Sequence, residues 1–270
     1  AWWLNQTFGL LEAVSVYTVI SLILFLAGAW ILVRMHKGDF FLAGHVTKKI
    51  DDKSTTKAIA PSSIRVAIIS WPFGAAGLFY LVYFQSSIIL LSYLDGESAA
   101  GLYNTAFIII AAVYLFPSVI YQKFLLPKLH RWAASDFEMM RQTYKVGNVY
   151  MLVFGLFAMI FLLGNGWWAI PFLFGSEYNK SVTILNILAL AVPVRFVASS
   201  VGSVLVTKNH MVRKVRYMAT VAIFNVVLNV ILIPEYGVLA AACVAVIGDV
   251  LLLAFYFLAV KKFVFSEAVN

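Results

Sequence analysis

Seven long stretches of this chain are almost free of charge: residues 13–33, 66–93, 101–121, 146–174, 182–206, 217–233 and 236–260. Among them they hold only two ionised side chains, Arg195 and Asp249. An α-helix needs about 20 apolar residues to cross the hydrocarbon core of a bilayer, and each stretch is long enough with some tilt or a kink. Backbone polar groups in lipid must be satisfied within the segment, which leaves helices or closed barrels. Barrel strands would alternate apolar and polar residues. Runs such as FIIIAAVYLF (107–116) and NVVLNVILI (225–233) do not alternate, so the stretches read as helices. The expected fold class is an all-α polytopic membrane protein with seven transmembrane helices.

Composition agrees. Hydrophobic residues make up 63% of the chain and charged residues 12%, far from the balance of soluble domains. The net charge of +8 would suit nucleic acid, but its placement points to membrane topology. Of the 20 Lys and Arg residues, all but Lys180 and Arg195 fall in four segments on one side: 34–65, 123–145, 208–216 and 261–262. The other side carries Glu12, Asp95, Glu97, Glu177 and Glu235. The excess of Lys and Arg marks the cytoplasmic side. The sequence thus begins outside, crosses seven times and ends in the cytoplasm. Trp2 and Trp3 read as an interfacial anchor, and an odd number of spans with an outside start points to a C-terminal piece of a longer transporter-like chain.

The segment 35–65 is polar and reads as a linker between two halves. Residues 122–145 mix apolar and basic side chains, as an interfacial segment does, and Ser135 with Glu138 forms an S-x-x-E capping box for the next helix. Short turns at 95–98 and 234–237 pair their flanking helices as hairpins. Pro72, Pro117 and Pro193 lie inside predicted spans, where each removes a backbone donor. The single Cys243 reads as a small packing residue.

Arg195 and Asp249 are the candidate functional residues. Each lies near the middle of its span, where a charge costs roughly 2.5–3.5 kcal/mol on insertion scales. Such groups face a partner, the bundle interior or water. Arg195 offers a planar fork suited to phosphate oxygens, with Asp249 as counter-ion or as a carboxylate whose proton or cation occupancy changes. A purely structural ion pair is the competing reading. Asn225 and Asn229 are four residues apart on one helix face. They suit bonding between helices more than contact with substrate, but remain candidate substrate-binding residues. Gln85, Ser86, Ser87, Asn104, Asn148 and Asn186 are further candidates for lining a cavity.

Signs of catalysis are thin. His36, His45, His130 and His210 all fall in cytoplasmic loops, and no phosphate loop, nucleophile elbow or metal-ligand spacing is present. The expectation is a non-enzyme with no cofactor, no metal and no nucleic acid partner.

Several segments resemble the lipid-linked oligosaccharide (O-antigen-type) flippases of the polysaccharide-export family, within the multidrug/oligosaccharidyl-lipid/polysaccharide exporter superfamily. They are DGESAAGLYNTAF (95–107), LLPKLHR (125–131), the run from Phe172 to Asn209, and NVVLNVILIPEYGVLAAACVAVIGDVLLLAFYF (225–257). Ala240 stands where that pattern leads one to expect glycine. The resemblance implies two six-helix lobes around a central cavity. Residues 1–34 would then be an outer segment and the last helix of the N-terminal lobe, 35–65 the cytoplasmic inter-lobe loop, 66–262 the C-terminal lobe and 263–270 a cytoplasmic tail. It implies translocation of undecaprenyl-diphosphate-linked oligosaccharide across the bacterial inner membrane by alternating access. Membrane lipids, a coupling cation (H+ or Na+) and polysaccharide-assembly proteins are the partners to expect. On this reading Arg195→Ala abolishes export and leaves membrane abundance normal. The rivals are a cation-coupled multidrug exporter of the same superfamily, a membrane-embedded polymerase or acyltransferase, and a scaffold that transports nothing.

Overall fold

The computed structural model describes residues 10–36, 63–206 and 210–265, and among these every regular element is a helix. Trp2, Trp3, most of the 35–65 segment and the end of the tail lie outside the described residues. The chain divides into two units, residues 1–60 and 61–270.

The first unit contains α1 (Leu10–His36). Its 27 residues rise about 40 Å at 1.5 Å per residue, enough for a bilayer. Thr18 satisfies its hydroxyl on the carbonyl of Val14 at 2.8 Å, and the Arg34 guanidinium lies 4.3 Å from the Trp30 ring centre.

The second unit begins with α2 (Ser63–Leu94) and α3 (Glu97–Ser118). They are joined at Asp95 and Gly96, whose amides both bond the Leu91 carbonyl at 2.9 Å. Gly96 has φ 98, a backbone conformation that L side chains rarely adopt. The predicted 101–121 span is therefore longer at its start. It also runs on: after Pro117 the ladder widens into a π-helical turn, Val119–Leu125, and then α4 (Leu126–Ser135). A proline that withholds its N–H is a common cause of such irregularity. On α4, Leu129 and Ala133 are buried while Lys128, His130 and Arg131 are exposed.

Helix α5 (Phe137–Phe174) starts nine residues ahead of the predicted 146. Its cap differs from the expected capping box. The Asp136 carboxylate accepts from the Met139 amide at 3.0 Å, while Ser135 turns back to the Arg131 carbonyl at 2.9 Å. Aspartate is as good an N-cap as serine, and it wins here because it occupies the residue with non-helical dihedrals.

The predicted 182–206 span is two helices, α6 (Ser181–Ala189) and α7 (Ala191–Val204), bent by 42°. Pro193 cannot donate to the Ala189 carbonyl, and the break sits at the intervening Leu190. Last comes α8 (Met211–Ala259), helical throughout except at Gly237, with φ 57 and ψ −140. A straight 49-residue helix would be about 74 Å long. Instead it folds back: the Tyr217 and Phe255 rings stack 5.5 Å apart, and a Cβ on Gly248 would lie 3.3 Å from Asn225 Nδ2. The predicted turn at 234–237 thus contracts to one glycine, next to the Asp95 carboxylate of the α2–α3 turn.

Among the described residues, five helices are long and apolar enough to cross a membrane, or six if the bent α6–α7 pair is one span. The outward surface of the second unit is strongly apolar, with Phe157, Trp167 and Phe172 all largely exposed. Its interior holds Asp249, Asn225, Asn229, Ser87 and Ser200. That inversion suits lipid as solvent, where close packing and polar bonds between helices replace the hydrophobic drive. Cys243 is exposed on this outer face, against the packing role expected of it. His210, expected at the surface, is buried, with Nδ1 2.7 Å from Arg213 Nη1.

Candidate functional site

Arg195 on α7 and Asp249 on the returning limb of α8 meet inside the second unit, Nη1 to Oδ1 at 3.0 Å. Their side chains are 12% and 5% exposed, so the pair is nearly removed from its surroundings. Two charges in such a place are tolerable only with good geometry and further hydrogen bonds. Both are present. The Tyr83 hydroxyl donates to Asp249 Oδ1 at 2.9 Å and lies 3.1 Å from the Ala245 carbonyl oxygen. The Tyr114 hydroxyl approaches Oδ2 at 3.4 Å.

Around the guanidinium stand four aromatic rings. Its carbon is 4.7 Å from the centre of Phe84, 5.5 Å from Tyr83, and 5.8 Å from both Tyr80 and Tyr114. Cation–π attraction of this kind strengthens as water is excluded. Three of the four rings come from α2 at positions i, i+3 and i+4, one helix face. That spacing was visible in the sequence, but it is also the ordinary pattern of a packing face, and only the placement of Arg195 gives it meaning.

Gly248 makes the cluster possible. A Cβ there would fall 2.9 Å from the Tyr83 hydroxyl oxygen and 3.1 Å from its ring. Gly248→Ala is expected to displace Tyr83 from Asp249 and to destabilise by about 1–3 kcal/mol, as overpacking commonly does. Thermal unfolding of the purified variant followed by tryptophan fluorescence checks this; an unchanged midpoint would contradict it.

One side of the cluster opens into a cavity of about 190 Å3. Arg195, Tyr80 and Tyr114 line it at the ion pair, and Tyr121, Ser199, Ser203, Lys214 and Tyr256 line it further along. Lys214, placed in a loop by the sequence, belongs to the first turn of α8, with its Nζ 5.8 Å from the centre of the Tyr256 ring. Nothing in the sequence distinguished it from its neighbours Arg213 and Arg216. The cavity wall thus joins two cations, several hydroxyls and aromatic faces, with Asp249 behind Arg195 and not in the lining, a set suited to an anionic or hydroxylated ligand.

The structure places Asn225 and Asn229 elsewhere. Both are buried; the Asn229 amide donates to Ser87 Oγ at 3.0 Å and to Asn225 Oδ1 at 2.8 Å. Neither lines the cavity. They bond α8 to α2. Gln85, Ser86, Asn104, Asn148 and Asn186 do not line it either. Among the described residues no cluster of His, Cys, Asp and Glu could hold a metal ion.

No protein family, curated protein or solved structure was found to match this chain.

Proposed function

We propose that this chain forms the C-terminal lobe of a two-lobe, twelve-helix-type flippase for undecaprenyl-diphosphate-linked oligosaccharide, working in the bacterial inner membrane for surface polysaccharide synthesis. The observation that carries the reading is the cationic, aromatic, hydroxyl-lined cavity inside a unit whose outer face is apolar. The resemblance of residues 66–262 to the polysaccharide-export family supports it. Seven spans are compatible with this reading if the two limbs of α8 are separate crossings and α6–α7 is one, and the Lys/Arg excess favours a cytoplasmic C-terminus.

The physical task is to move a diphosphate and many hydroxyls across about 30 Å of hydrocarbon. A polar cavity lowers that barrier while the polyprenyl tail stays in the bilayer. Alternating access requires that each conformation bind substrate or a coupling cation with different affinity, since equal affinity shifts nothing. The Arg195–Asp249 pair is suited to such a change. Opening it exposes a fork for phosphate oxygens on one helix and a carboxylate for a proton or cation on another.

Deleting the full-length gene in its own cell tests the reading. The expected result is loss of surface polysaccharide with build-up of single lipid-linked units on the inner leaflet, rescued by the wild-type gene. Normal polysaccharide with altered drug sensitivity would replace this reading with the cation-coupled multidrug exporter. Unpolymerised units on the outer leaflet would replace it with the membrane-embedded polymerase.

A further inference from the structure

The two cations of the cavity are not equivalent. Arg195 is held by Asp249 at 3.0 Å, and both oxygens of that carboxylate are further engaged by tyrosine hydroxyls. The pair is close to neutral seen from the cavity. Lys214 faces the same space, and among the described residues no carboxylate lies within ion-pair distance of it. Its surroundings are the Tyr256 ring, Gly202 and the hydroxyl-bearing wall of Ser199, Ser203 and Tyr121.

Position along the fold separates the two. Tyr256, whose ring centre lies 5.8 Å from the Lys214 Nζ, is seven residues beyond Asp249 on the same limb, a rise of about 10 Å along the helix axis. Lys214 sits toward the Lys/Arg-rich end of the unit. A ligand entering from that end meets Lys214 before it meets Arg195. The ring of Tyr256 is itself fixed: a Cβ on Gly202 would lie 2.7 Å from it. This wall is therefore close-packed and holds the ammonium beside the cavity.

We propose that Lys214, not Arg195, is the primary anion-recognition group of this cavity, and that its ligand is a phosphate or diphosphate ester. A lysine ammonium supplies a point charge with three donors. The Ser199, Ser203 and Tyr121 hydroxyls can add neutral hydrogen bonds around the same anion. Arg195 joins only when Asp249 is neutralised or displaced. The inference rests on the flippase reading for the identity of the lipid carrier, but not for the chemistry of the anion.

The test uses the purified full chain in nanodiscs of zwitterionic lipid, with empty nanodiscs as control. Equilibrium binding of inorganic pyrophosphate and of farnesyl diphosphate separates a free anion from a lipid-linked one. Lys214→Gln is expected to weaken binding by about tenfold or more, the range for losing a charged hydrogen bond. Lys214→Arg should keep most of it. Lys214→Met, which retains the apolar stem against Tyr256, serves as a second variant if the glutamine protein is not monodisperse. Asp249→Asn should tighten binding by releasing Arg195.

Failure of wild type to bind either probe, binding that ignores Lys214, or weaker binding by Asp249→Asn protein that is monodisperse and keeps the wild-type thermal midpoint would overturn the proposal. If Lys214 governs binding but pyrophosphate binds as tightly as farnesyl diphosphate, the anion site stands and the lipid-linked substrate falls. If deletion of the gene traps lipid-linked units inside while diphosphate binding ignores Lys214, the flippase reading stands and this assignment falls.

Discussion

If the chain works as the proposed flippase, Arg195→Ala is expected both to abolish export and to lower the amount of folded protein in the membrane. The reason is the 3.0 Å pair with Asp249, whose side chain is 5% exposed. Removing one member of a buried ion pair leaves the other charge without its partner, at a cost of about 3–5 kcal/mol. A stability of that order is a large share of what most domains possess. The sequence-based expectation already offered Asp249 as counter-ion but gave the variant normal abundance; the burial of the pair leads to the opposite expectation for abundance. The informative variant is the double change Arg195→Met with Asp249→Leu. Replacing a buried pair with apolar groups of similar volume is often neutral or stabilising, so abundance and thermal midpoint should recover. Export should not. Fluorescence-detected size exclusion measures the first and surface polysaccharide the second. Recovery of both would make the pair purely structural.

The second large effect is expected at Gly155. A Cβ there would lie 2.5 Å from the Pro193 Cα and 3.2 Å from the Phe196 Cβ. The nearest obstacle is backbone, which cannot swing aside as a side chain can. Gly155→Ala therefore forces α5 and α7 apart, costing about 1–3 kcal/mol, and Gly155→Leu more. Because α7 carries Arg195, the displacement also disturbs the 3.0 Å contact to Asp249. Thermal unfolding should show a graded loss from Gly to Ala to Leu. Gly164, on the same helix with nothing within 4 Å of a Cβ, is the control and should tolerate alanine. Equal loss at both positions would mean that the close crossing is not the cause, since alanine by itself favours the helix over glycine.

Much of the fold was legible because the bilayer imposes a simple rule: backbone polar groups close within the segment, and charges stay out of it. The long apolar helices and the two exceptional charges follow from that rule. Breaks were harder to read. Pro193 signalled an interruption, but its place at Leu190 and its 42° angle depend on which carbonyl loses its donor. The helical course of α8 up to Gly237 was hidden because a proline and a glycine in PEYG look like an open turn. Asp136 displaced Ser135 as the cap of α5 by a difference of one residue in backbone dihedrals, which no spacing rule resolves.

The candidate site divides in the same way. By itself the sequence determined that Arg195 and Asp249 had to be satisfied inside the protein, because an isolated charge at that depth is too costly. It also determined that α2 presents three aromatic side chains on one face. Only the tertiary structure decided that these are one object, that Gly248 makes room for Tyr83, and that Lys214 shares the cavity while Asn225 and Asn229 do not. The physical reason is direction around the helix axis. In a segment apolar on every side, periodicity carries no sign of which face turns inward, and that is fixed by contacts with helices distant in the chain.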